Sequence, residues 1–208
     1  NNFGNEYEIL KNLVSSYLYK DILALAGIRK SNILEKILQA LALQVGSEVS
    51  YNEIAQLVGV DKNTVNTYID LLEKSFVVFR LNSFSKNIRN EIKANKKIYF
   101  YDNGVRNMII GNFNHLALRQ DKGALWENFM ISERMKQLSY SQSASKPYFW
   151  RTTTQQEIDY IETNADAVSA FEFKWASTKK AKIPKSFIEA YHPTFTVVNQ
   201  ENFREFLK

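Results

Sequence analysis

Three short runs hold the side chains that could do chemistry: Trp126-Glu127-Asn128, Glu157 to Glu162, and Phe171-Glu172-Phe173-Lys174-Trp175. If residues 170–175 form a strand, its period of two puts Glu172 and Lys174 on one face and Phe171, Phe173 and Trp175 on the other. A strand over Glu157–Glu162, paired with it as a hairpin, brings the Asp159 carboxylate beside Glu172. A helix carrying Glu127 reaches the same place. Carboxylates gathered in one pocket repel unless a hard divalent cation sits between them, and a neighbouring lysine then orients a phosphate or a water. The chemistry expected is therefore Mg²⁺- or Mn²⁺-dependent phosphodiester cleavage. Asp159, Glu172 and Glu127 would be its metal ligands, and Lys174 would join them as a catalytic group. Glu157 shares the face of Asp159 and either joins the site or flanks it. The competing reading is a solvated hairpin face, or a Glu172–Lys174 ion pair under an aromatic sheet, with no catalysis.

The elements that must position these groups follow from periodicity. Apolar residues at helical spacing run from Ile9 to Leu18 and on to Ala26, closed by Gly27. A compact three-helix pattern comes next: Asn32–Gln44, a helix from the Ser50/Glu53 capping box through Val58, and Lys62–Lys74 behind the Gly59-Val60-Asp61 turn. The last two helices describe a helix-turn-helix whose Lys62, Asn63, Thr64, Asn66 and Thr67 could reach bases or phosphates. Strands over Phe76–Phe84 and Lys97–Tyr101, joined by a connection rich in Lys86, Arg89, Lys93, Lys96 and Lys97, complete the order of a winged helix. The same elements would serve equally as a scaffold that docks a neighbouring domain. Beyond them, a helix over Leu125–Gln137, strands at Tyr148–Arg151, Glu157–Glu162, Ala170–Trp175 and Phe195–Val198, and a helix over Glu201–Leu207 predict an α/β (α+β) plan, a mixed sheet with packed helices. Lys179, Lys180, Lys182 and Lys185 follow the Glu-x-Lys strand, either to hold a nucleic-acid backbone or as a solvated loop.

Composition narrows the classes. The 208 residues carry 27 Lys and Arg against 22 Asp and Glu, a mild basic excess that favours anionic partners. With no cysteine, disulfides and thiolate zinc sites are excluded, and His115 and His192 are the only imidazoles. No apolar run is long enough to cross a bilayer, so no membrane partner is expected, and a cytoplasmic location is. The chain has no Gly-x-x-x-x-Gly-Lys-Ser/Thr loop and cannot bind ATP in the P-loop manner by itself.

Around Lys97 the sequence reads Lys-Ile-Tyr-Phe-Tyr-Asp-Asn-Gly, followed by Trp126-Glu127-Asn128-Phe129, Trp150-Arg151, Glu157-Ile158-Asp159-Tyr160 and Phe171-Glu172-Phe173-Lys174. This succession resembles the C-terminal region of bacterial and archaeal AAA-type ATPases, in which a P-loop module precedes a winged helix and a restriction-endonuclease-like domain of unknown function. Glu127, Asp159, Glu172 and Lys174 match the PD-(D/E)-x-K nuclease pattern. The resemblance implies an ATPase module upstream of Asn1 as the source of any ATP chemistry. It also implies DNA as a partner, leaves a homo-oligomer open, and divides the chain into a helical linker (1–30), a winged-helix domain (31–101) and a nuclease-like domain (102–208). Asp102 and Gly104 match a strand-end motif, Asp102 as a helix cap and Gly104 to let the backbone turn. Gln155 and Gln156 stand where many relatives have a glycine pair, which stiffens the turn before Asp159.

Overall fold

A computed structural model describes residues 5–21, 31–85, 87 and 96–208. Residues 22–30 and, from the basic connection, Lys86, Arg89 and Lys93 lie outside them. The chain forms two compact units. Residues up to Arg80 together with Ile98–Leu118 make the first, and Leu81–Lys97 with Arg119–Lys208 make the second. The cuts fall inside two strands.

In the first unit, α1 (Asn5–Asn12) runs into a π-helical stretch (Leu13–Asp21), and α2 spans Ser31–Leu43. Leu34, Ile37, Leu38 and Leu41 recur at helical spacing on α2 and are fully buried, which is the stripe its sequence period requires. A two-residue strand, β1 (Glu48–Val49), leads to α3 (Tyr51–Val58). Ser50 caps α3 by accepting from the Glu53 N–H at 3.4 Å, and Gly59 ends it in the left-handed conformation at φ +78°. Asp61 caps α4 (Lys62–Lys74) through the Thr64 N–H at 2.9 Å. The strands β2 (Val78–Ser83) and β3 (Lys96–Phe100) follow, with strand order β1-β3-β2. Asp102 caps α5 (Asn103–Ile110) as expected, accepting from the Val105 N–H at 2.8 Å. Gly104 serves another purpose than the expected turn. It lies within α5, and a Cβ there would sit 2.8 Å from Asp102 Oδ1 and 3.1 Å from Leu10 Cδ2, so what the position needs is close packing.

The second unit is a mixed sheet flanked by helices. α6 (Lys122–Tyr140) precedes β4 (Lys146–Arg151), β5 (Glu157–Asn164) and β6 (Ala167–Phe173); α7 (Lys185–Tyr191), β7 (Thr194–Val198) and α8 (Phe203–Phe206) follow. The order is β2-β4-β5-β6-β7. β4, β5 and β6 are antiparallel neighbours, while β2 with β4 and β6 with β7 are parallel. Trp150, Ile158, Ile161, Ala170 and Phe187 form one buried cluster. Tyr160, Phe171 and Phe173 gather around Phe206 in another, with ring centroids 4.9–5.9 Å from it. The expected aromatic strand face is therefore present. β6 ends at Phe173, however, and Lys174 follows it in a non-strand conformation, although its N–H still donates to Val198 O at 2.9 Å. Among the described residues no helix is long and apolar enough to cross a membrane.

Candidate functional site

All the sequence-identified acidic groups lie in the second unit, and sheet register explains how they meet. β5 and β6 pair with Tyr160 opposite Phe171, so Asp159 is level with Glu172 one step further along. The Asp159 carboxylate accepts the Phe173 N–H at 2.8 Å, which turns it toward β6. Glu127 arrives on α6, whose position is fixed at two places. Trp126 packs edge-on against Trp175 at 5.5 Å and against Phe203 at 5.6 Å. Two turns on, Arg134 forks onto Glu162 of β5 at 2.6 and 2.9 Å and donates to Phe206 O at 2.9 Å. The Tyr160 hydroxyl completes that clamp by donating to Glu162 at 3.0 Å.

Each flanking carboxylate already holds a cation. Lys174 Nζ is 2.6 Å from Glu172 Oε1. Lys97 Nζ is 3.2 Å from Glu127 Oε1 and 2.5 Å from Glu157 Oε1, with its side chain only 1% exposed. Its ammonium also lies over the Phe149 ring, 5.4 Å from the centroid. Lys97 therefore cannot act as the exposed basic contact expected of the connection between β2 and β3. Burial withdraws it from solvent and commits its charge to two glutamates. Glu157 likewise joins the cluster, and Arg151 stands 3.8 Å from its other oxygen.

Electrostatics follow from this crowding. Burial is the main influence raising the Asp159 carboxyl, Glu127 and Glu172 add to it, and Lys97 and the Phe173 N–H pull only partly back, so its pKa is pushed up to about 8. Burial alone would make Lys97 easier to deprotonate, but Glu127, Glu157 and Asp159 outweigh it and hold the ammonium above its ordinary range. Lys174 is raised in the same way, with Glu172 and Asp159 overcoming burial. The oxygen donors are of the type that Mg²⁺ and Mn²⁺ prefer. As arranged they do not fit either ion: Glu127 is turned to Lys97 and Glu172 to Lys174. Among the described residues no three carboxylate or imidazole groups are grouped to hold a metal.

Residues 2–116, more than half of the chain, match the profile of a domain of unknown function, DUF8612. The chain belongs to that family. This DUF8612 member continues over residues 122–207 with a second domain of unknown function, DUF4143, which contains Glu127, Asp159, Glu172 and Lys174. An uncharacterized protein of Mycobacterium tuberculosis is 30% identical over 169 residues, covering 79% of this chain and 37% of its own length. One from Haemophilus influenzae is 28% identical over 169 residues, covering 77% and 38%. One from Methanocaldococcus jannaschii is 22% identical over 159 residues, covering 74% and 33%. The chain thus spans about a third of the length of these relatives. No solved structure matches it.

The residues proposed on sequence for nucleic-acid contact behave unevenly. On α4, Lys62 and Asn63 are exposed. Thr64 instead gives its N–H and hydroxyl to Asp61, Thr67 donates to Asn63 O, and Asn66 donates to Asp70 while accepting from Arg80. Lys96 is half-buried, Lys179 and Lys180 are exposed, and Lys93 is outside the described residues. Sequence reasoning missed Arg80, whose guanidinium binds Asp70, Glu73 and the Tyr51 hydroxyl. A lone arginine in the apolar run Val77-Val78-Phe79-Arg80-Leu81 was the available signal, because a charge buried in a strand requires partners.

Proposed function

We propose that this chain is the nucleic-acid-interacting C-terminal part of an AAA-type ATPase, and that its second unit is a non-cleaving regulatory module for an ATPase carried elsewhere in the protein. ATP would act only through that P-loop module, in the cytoplasm. The order α2-β1-α3-α4-β2-β3 is compatible with the winged helix the resemblance implies and supports the first half of the reading, as does the association of DUF4143 with such ATPases. The observation that carries the second half is the pairing around Asp159. Glu127 and Glu157 are paired with Lys97, Glu172 with Lys174, and Arg151 stands 3.8 Å from Glu157, while burial and the neighbouring Glu127 and Glu172 hold the Asp159 carboxyl above its ordinary range. Such a cluster needs no metal to be stable and has little charge left with which to recruit one. DNA contact then rests on exposed cations: Lys62 on α4, and Lys179, Lys180, Lys182 and Lys185 in the stretch from β6 into α7.

A second reading, Mg²⁺- or Mn²⁺-dependent phosphodiester cleavage, is favoured by the mutual influence of Asp159, Glu127 and Glu172. Supercoiled plasmid separates the two. On the first reading the protein retards DNA with an affinity that falls steeply as salt rises, and plasmid stays intact in Mn²⁺ or Mg²⁺. Nicking that disappears in Glu172→Ala would establish the second.

A further inference from the structure

We infer that Lys97 is the resident cation of the acidic cluster: its ammonium occupies the charge position a divalent metal would otherwise fill, and it keeps the cluster closed to metals. The inference rests on the non-cleaving reading and deepens it by naming the side chain responsible.

The argument begins with burial. A lysine with 1% of its side chain exposed has given up its hydration, which is tolerated only where carboxylates replace it. Lys97 has two such partners, Glu127 from α6 and Glu157 from β5. Carboxylates brought from two elements, α6 and β5, around one positive centre are how a protein holds Mg²⁺ or Mn²⁺, with an ammonium in the ion's place. Phe149 beneath the ammonium accepts a cation over its face, and it offers no oxygen to a metal. Lys97 is rooted in a strand, so its backbone cannot swing away as a loop lysine could. A divalent ion entering beside it would meet a positive charge a few ångströms off, as well as a Glu127 already committed. The Glu172–Lys174 pair keeps some contact with solvent, 28% of the Lys174 side chain being exposed, so Lys174 can leave its partner for water; Lys97, 1% exposed, cannot.

The test is calorimetric titration of the whole chain with MnCl₂, with thermal melting in parallel, for the wild type, Lys97→Met and Lys97→Arg. The wild type and Lys97→Arg are expected to show no saturable binding into the millimolar range and no shift in melting temperature. Lys97→Met is expected to melt lower without metal, to bind Mn²⁺ at least tenfold more tightly than the wild type, and to regain melting temperature as Mn²⁺ is added. If Lys97→Met does not fold, Lys97→Met/Glu157→Gln removes one orphaned carboxylate while leaving Glu127, Asp159 and Glu172, and carries the same expectation. A folded variant that binds Mn²⁺ no better than the wild type overturns the role of Lys97 and leaves the non-cleaving reading intact. Wild-type binding as tight as that of the variant also overturns it, and only plasmid nicking by the wild type then removes the reading beneath.

Discussion

Arg80 in the first unit and Lys97 in the second are both cations set in strands and gripped by two acidic side chains, yet their surroundings differ in one respect. Around Arg80 every group is matched: Asp70 and Glu73 take the guanidinium, Tyr51 accepts from Nε, and the Arg80 N–H is accepted by Glu73 at 3.0 Å, tying α4 to β2. Around Lys97 two carboxylates are matched and a third, Asp159, is left among like charges with a raised pKa. A network that closes on itself is architecture. One with a buried carboxyl left over, pushed toward its protonated form by burial and by Glu127 and Glu172, loses stability as that group ionises. The contrast therefore separates a closed brace from a network with an unmatched carboxyl, without reference to any motif.

Replacing Arg80 and replacing Asp159 should move stability in opposite directions. Replacing Arg80 with Met strips two half-exposed carboxylates and a phenol of their partner and frees the start of β2. The loss expected is about 2–3 kcal/mol, below the figure for a fully buried pair because Asp70 and Glu73 remain partly in water. Urea unfolding measures it, and a loss under 1 kcal/mol would mean the Arg80 network is not the brace described.

Asp159→Asn should do the reverse. Asparagine keeps an oxygen for the Phe173 N–H while removing the group that ionises. The sign follows from linkage. The folded pKa is raised to about 8 from an unfolded value of about 4, so the folded state holds the proton more tightly. The stability this supplies is full below pH ~4 and is lost as the pH climbs to about 8. The wild type should therefore weaken across that window relative to Asp159→Asn. By pH 8 the variant should lead by about 1–2 kcal/mol, less than a lone carboxyl would give because Glu127, Glu172 and Lys97 share the titration. Parallel pH–stability curves for the two proteins would show that Asp159 carries no such burden.

What could be read from sequence, and what could not, divides along the same line. Caps announce themselves: Ser50, Asp61 and Asp102 each stand one residue before the helix they start, because their short side chains satisfy its first free N–H groups. The hairpin that sets Asp159 beside Glu172 is equally local, a matter of period and turn. The role of Lys97 was not legible, since its partners come from distant points in the chain. Glu127 and Glu157 are thirty and sixty residues beyond Lys97. In Lys96-Lys97-Ile98-Tyr99-Phe100 the lysines read as the end of a basic loop, and only burial on both faces of β3 reveals that Lys97 points inward with Tyr99. The contacts of α4 were hidden for the opposite reason. Polar residues at the start of a helix behind a Gly-containing turn look available until their own capping and i,i+4 hydrogen bonds are counted.

The smallest effect should come from Gln155, at the rim of the surplus. Gln155 sits at φ +65°, in the left-handed region, in the turn closed by the Thr152 N–H to Gln156 O bond at 2.9 Å. That conformation costs a residue with a Cβ about 1 kcal/mol relative to glycine. Against it, the Gln155 amide oxygen accepts from Arg151, whose other terminal nitrogen faces Glu157, and glycine would add about 0.4–1 kcal/mol of chain entropy to the unfolded state. Gln155→Gly should therefore change stability by less than about 0.5 kcal/mol and leave the pH dependence set by Asp159 as it was, because Arg151 touches the matched side of the cluster and not the surplus carboxyl. A flattened pH dependence in Gln155→Gly would mean that Arg151 reaches Asp159 once released, and the line between matched and unmatched groups would have to be redrawn to include it.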